Sequence, residues 1–173
     1  MRCTRKARTG GVRPFVPPQA ACRVRLGRIL SVLCVKPLTT SMLMNDTQRL
    51  LDSSVVIRHF RLGGETSILL ESFTELYLPS IALGELYAGA CRSARPDKNL
   101  AQIEEFLASV TMLPSDEAEA LHYGRISANL AAKGTPIPQN DMWIAACAMQ
   151  WNLTLATTDQ HYSQIEGLSC EMW

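Results

Sequence analysis

Residues 142–149, Met-Trp-Ile-Ala-Ala-Cys-Ala-Met, are apolar on every side of the helix their composition predicts. A helix without a solvated face has to be enclosed, so the rest of the chain must build a core around it. Pro136 and Pro138 mark a loop immediately before it, and Asn140 reads as its cap. Asp141 then falls in the first turn, a carboxylate at the mouth of a core and not on a solvated face. Taken alone, Asp141 has an ordinary account as an acid favoured by the helix dipole.

The segments around this helix alternate between short apolar runs and helical patterns. Residues 49–52 read as a buried strand ending in Asp52, and Ser53 or Ser54 caps a helix that stops at Gly63-Gly64. A second helix is expected over 66–73. A second strand over 76–78 closes at Pro79, after which Ser80 caps a helix carrying Glu85. Another helix begins at Asp97. A third strand over 111–113 ends at Pro114, and Asp116 begins a long helix with Ala118, Leu121, Ile126, Leu130 and Ala131 inward. A fourth strand over 153–157 precedes Asp159, and a last one is expected over 168–172. Strands alternating with helices predict an α/β domain of three α/β/α layers, with a central, mostly parallel sheet of four to five short strands.

The net charge of +1 conceals a segregation of sign. Residues 1–43 contain nine basic residues and no acid, whereas residues 44–173 contain eight bases against 16 acids, a net of −8. The domain is therefore expected over 44–173, and 1–43 is expected to be a disordered basic extension, a leader, or sequence ahead of a true start at Met42 or Met44. The acidic body argues against a general nucleic-acid groove or an anionic-membrane binder. No run of 18 apolar residues predicts a membrane span. The six cysteines, Cys3, Cys22, Cys34, Cys91, Cys147 and Cys170, include no C-x-x-C pair and read as free thiols of a reducing compartment.

Asp52 and Asp159 follow the carboxyl ends of strands, which form the ligand-binding edge of an open α/β sheet. Asp141 and Glu85 lie early in helices reaching the same edge. Converged, these four acids would repel, and a divalent cation with oxygen ligands, Mg²⁺ or Mn²⁺, would relieve the conflict. Such a site suits metal-assisted hydrolysis and needs no protein nucleophile. Consistent with this, the sequence has no G-x-S-x-G, P-loop or G-x-G-x-x-G. His59, His122 and His161 show no metal-ligand spacing and read as surface or core filler.

In order, Leu-Leu-Asp-Ser-Ser-Val-Val-Ile (50–57), Leu-Pro-Ser-Ile-Ala-Leu-Gly-Glu-Leu-Tyr-Ala-Gly-Ala (78–90), Pro-Ile-Pro-Gln-Asn-Asp-Met-Trp-Ile-Ala-Ala (136–146) and Leu-Ala-Thr-Thr-Asp (155–159) resemble a PIN domain of the VapC toxin type. The resemblance implies a cytoplasmic, homodimeric, Mg²⁺- or Mn²⁺-dependent endoribonuclease cutting tRNA or rRNA, held in check by a VapB-type antitoxin. Carried over by motif, it implies catalytic acids Asp52, Glu85, Asp141 and Asp159. Asp52, Asp141 and Asp159 would ligate metal, with Ser54, Asn140 and Thr157 behind them. The first motif more often reads Asp-Thr-Asn or Asp-Thr-Ser, Thr158 stands where a basic residue is common, and Gln139 replaces a frequent glutamate. Two other readings remain open: a PIN-fold nuclease of RNA processing without an antitoxin, and a catalytically silent PIN-fold protein that only binds a partner.

Overall fold

The computed structural model of the chain describes residues 47–173. The basic segment 1–43, the candidate starts Met42 and Met44, and Cys3, Cys22 and Cys34 lie outside the described residues. In chain order the elements are β1 (Gln48–Leu51), α1 (Ser53–Leu62), α2 (Glu65–Glu71), β2 (Glu75–Pro79), α3 (Ser80–Cys91), α4 (Pro96–Leu107), β3 (Thr111–Leu113), α5 (Glu117–Lys133), α6 (Gln139–Trp151), β4 (Thr154–Thr157), a short 3₁₀ helix (Gln160–Gln164) and β5 (Cys170–Met172).

All five strands are parallel, in the order β3-β2-β1-β4-β5. Side chains alternate across a strand, so adjacent residues that are both buried mean that both faces are covered. Leu50 and Leu51 are both fully buried, as are Leu155, Ala156 and Thr157. The result is the expected three-layer α/β architecture. The chain steps from β1 to β2 to β3 in one direction, then returns through α5 and α6 to β4 on the other side of β1. The reversal falls between β1 and β4, where open α/β sheets place their ligands.

The apolar helix is enclosed as its composition requires: Met142 and residues 144–148 of α6 are buried. Helix α5 runs antiparallel along it. Tyr123 stacks on Trp143 with ring centroids 4.3 Å apart, and Gln150 donates to Asp116 at 2.9 Å. Leucine is absent from residues 142–149, and three alanines there let α6 lie close against its neighbours.

Several local expectations are corrected. Asp52, not Ser53 or Ser54, takes the cap position of α1, and its carboxylate makes no capping bond because it is held elsewhere. Pro79 precedes α3, with Ser80 already in the helix. Pro138 takes the cap position of α6, and Asn140 is the second helical residue, its amide directed to Glu85. On α5 the buried stripe is Glu119, Ile126 and Leu130, whereas Ala118, Leu121 and Ala131 are exposed. The stripe is displaced because its first position is polar. Glu119 is 1% exposed and accepts from Ser115 Oγ at 2.9 Å. Burial pushes its carboxyl above the usual range.

The displaced stripe makes a direct prediction. Leu130→Ala removes a fully buried side chain and should cost about 2–5 kcal/mol. Leu121→Ala, at a residue 56% exposed, should change stability by less than about 0.5 kcal/mol. Urea unfolding of the two variants checks both; a comparable loss in Leu121→Ala would restore the face expected from the sequence.

Candidate active site

Strand pairing brings the first and last motifs together. The Asp52 amide donates to the Ala156 carbonyl at 3.0 Å, which seats Asp52 beside Thr157. Asp52 is 5% exposed. Its Oδ2 accepts from Ser54 Oγ at 2.5 Å and from Thr157 Oγ1 at 2.9 Å, and the Tyr162 hydroxyl lies 3.5 Å from Oδ1. Both hydroxyls also accept from the loop after β4. The Thr158 amide donates to Ser54 Oγ at 3.1 Å, and the Asp159 amide donates to Thr157 Oγ1 at 3.0 Å. One relay thus fixes the first acid and the backbone of the fourth.

Glu85 is pinned on both oxygens. Ser53 Oγ donates to Oε2 at 2.6 Å and Asn140 Nδ2 donates to Oε1 at 2.7 Å. It is held between the first turns of α1 and α6, so the glutamate of α3 is drawn to the sheet edge. Asp141, in the first turn of α6, has a side chain 15% exposed. Asp159 caps the 3₁₀ helix, its Oδ1 accepting from the His161 amide at 2.9 Å. Asp159 therefore serves as a helix cap, and its side chain is also 2.9 Å from His161 Nδ1. That ring nitrogen is 3.9 Å from Asp141 Oδ2.

The four acids act on one another electrostatically. Burial raises the Asp52 carboxyl; bonds from Ser54 and Thr157 oppose this, and Glu85 adds to it. Asp141 is pushed up to about 6, first by burial, then by Asp52, Asp159 and Glu85, with His161 opposing. Burial and the same four acids raise the Tyr162 phenol. Among the described residues, Arg49 pairs with Glu171 and Lys133 with Glu166, away from this edge. The donors fit a hard divalent cation, with carboxylate oxygens predominating. The three groups whose ligand atoms lie within 4.8 Å of one another are Asp141, Asp159 and His161. The expected trio had Asp52 in the place of His161.

Three contributors escaped the sequence reading. Ser53 looked like a cap and instead orients Glu85. Tyr162 is buried beneath the loop, and its position three residues after Asp159 was the available signal. His161 was read as filler; its spacing of two from Asp159 becomes significant only in a 3₁₀ turn. By contrast His59 is structural, 3.1 Å from Ser67 Oγ.

A parallel α/β sheet with acids gathered at its switch point defines a class of metal-fitted α/β domains, and comparison with known proteins narrows it. Residues 49–168 match the PIN domain family, and the chain belongs to that family. It is 33% identical over 129 residues to the tRNA(fMet)-specific endonuclease VapC of Shigella flexneri, covering 72% of this chain and 96% of that protein. It is 37% identical over 101 residues to the tRNA(fMet)-specific endonuclease VapC of Salmonella typhimurium, covering 58% and 76%. Among solved structures, DNA-bound VapBC from Salmonella typhimurium superposes with a TM-score of 0.69 at 32% identity, covering 73% of this chain and 98% of that one. VapBC-1 from nontypeable Haemophilus influenzae gives 0.68 at 27% identity, with the same coverage.

The raised Asp141 carboxyl has a consequence for stability. The folded group binds its proton more tightly than the unfolded one, so metal-free protein should lose stability as pH rises from about 4 to about 6 and stay lowered above that. Asp141→Asn should remove the part of this loss that Asp141 causes, making the variant more stable in EDTA at pH 7 by up to about 3 kcal/mol and no more stable below pH 4, while the raised carboxyls of Asp52 and Glu119 keep their own share. Urea unfolding across pH measures it; a constant difference would refute the electrostatic origin.

Proposed function

We propose that this chain is a divalent-metal-dependent endoribonuclease, the toxin of a type II toxin–antitoxin pair. The observation that carries the reading is the gathering of Asp52, Glu85, Asp141 and Asp159 where β1 and β4 diverge, in a chain whose relatives are named VapC endonucleases. Asp52 and Asp141 would be the principal ligands of Mg²⁺ or Mn²⁺, and Asp159 would serve a second ion or a bridging water. A bound cation supplies a water of lowered pKa and positive charge for the phosphate oxygens. Glu85, fixed by Ser53 and Asn140, would orient or deprotonate the attacking water. Ser54 and Thr157 both donate to Asp52 Oδ2 and so hold the carboxylate in one orientation.

The substrate is RNA, of the tRNA or rRNA class; the names of two relatives favour tRNA. The partner is a VapB-type antitoxin, in keeping with the VapBC complexes among the structural neighbours. A basic side chain of that partner could satisfy the acids in the cation's stead. We place the protein as a homodimer in the cytoplasm; no helix among the described residues is long and apolar enough to cross a membrane.

The purified, partner-free chain is expected to cut total tRNA or rRNA into discrete products with Mg²⁺ or Mn²⁺ and not with EDTA. Asp141→Asn should lower the rate at least about 100-fold, and Ser54→Ala by about 10- to 100-fold. Gel resolution of the products checks this. Cleavage persisting in EDTA or in Asp141→Asn would remove the reaction from this site.

A further inference from the structure

Resting on the metal-site reading above, we infer that His161 is a nitrogen ligand of the divalent cation, so that the site favours Mn²⁺ over Mg²⁺. On the Asp159 side of the site, with Asp141 shared with Asp52, the donor set is then two carboxylates and one imidazole. Asp141, Asp159 and His161 form the compact trio, with His161 Nδ1 facing both carboxylates at 2.9 and 3.9 Å. Donors about 2.1 Å from a common ion lie at most about 4.2 Å apart, so closing the trio from its 4.8 Å limit takes a movement of under about 1 Å.

The imidazole is placed by a built turn. The Asp159 carboxylate accepts from the His161 amide, an Asx turn that brings both side chains to one side of the loop. Tyr162, 1% exposed, anchors the next residue in the core under Asp52. Upstream, the Asp159 amide is tied to Thr157 Oγ1. The loop that delivers His161 is therefore held at both ends, while the ring is half exposed with Nδ1 turned to the Asp159 carboxylate. Mg²⁺ takes oxygen ligands and keeps its waters, whereas the later first-row divalent ions accept imidazole readily. An all-carboxylate edge would show little such discrimination.

Pulsed EPR of the full, partner-free chain loaded with Mn²⁺ tests the assignment without any turnover. Nitrogen modulation from a directly coordinated imidazole is expected in the unmodified protein, absent in His161→Ala and retained in His122→Ala. By calorimetry, His161→Ala should weaken Mn²⁺ binding about 10- to 100-fold and Mg²⁺ binding by less than about threefold. Mn²⁺ bound without nitrogen modulation, or modulation surviving in His161→Ala, overturns the inference and leaves the carboxylate site standing. A folded protein that binds neither ion, in the unmodified form as in Asp141→Asn, overturns the metal site and the inference together.

Discussion

The parallel pairing of β1 with β4 is the contact on which the rest of this structure depends. It registers Leu51 against Ala156 and so sets Asp52 beside Thr157 at the ends of two central strands. β1 lies at the middle of the sheet and is buried on both faces, so Asp52 leaves the core with little freedom. The chain then departs from β1 and β4 toward opposite sides. The cleft between those departures is a property of strand order, and no side chain is needed to open it.

Around that cleft, hydrogen bonding divides the acids into held and free. Asp52 and Glu85 each accept two short side-chain bonds, and the donors come from α1, β4 and α6. Those donors are neutral. They fix direction without cancelling charge, which keeps the carboxylates available to a cation. A lysine or arginine in the same positions would stabilise the edge more and close it to metal. Here Lys133 and Arg49 are committed to Glu166 and Glu171.

The layered sheet and the existence of each strand and α-helix were legible in the sequence because short apolar runs and an all-apolar helix leave few ways to bury themselves. The meeting of Asp52, Glu85, Asp141 and Asp159 followed from topology: all four stand at strand ends or in early helical turns of one edge. Three kinds of detail were hidden. Caps were misassigned because serine, asparagine and aspartate favour both cap and site, and here Ser53, Ser54, Asn140 and Asp52 serve the site. The inward face of α5 was right at Ile126 and Leu130 and wrong at Ala118, Leu121 and Ala131, because periodicity counts apolar residues and the buried stripe begins with Glu119. His161 and Tyr162 were invisible because a 3₁₀ turn has no periodic signature over five residues.

Fixing the acids also decides where their repulsion is felt. Asp52 and Glu85 cannot swing apart without breaking bonds to three other elements, and the backbone of Asp159 is tied to Thr157. Asp141 has the His161 ring nitrogen 3.9 Å from its Oδ2, and its carboxyl rises to about 6 under burial and the three other acids. Near neutral pH the cation-free fold therefore keeps a charge that its surroundings disfavour. That cost is the affinity reserve of the site: a ligand that neutralises the edge in the folded state alone recovers it as binding free energy and raises the stability of the fold by linkage. Any cation able to reach the cleft draws on the same reserve, whether a metal ion or a basic side chain of a partner. Occupancy by one must then oppose occupancy by the other, since both neutralise the same four acids.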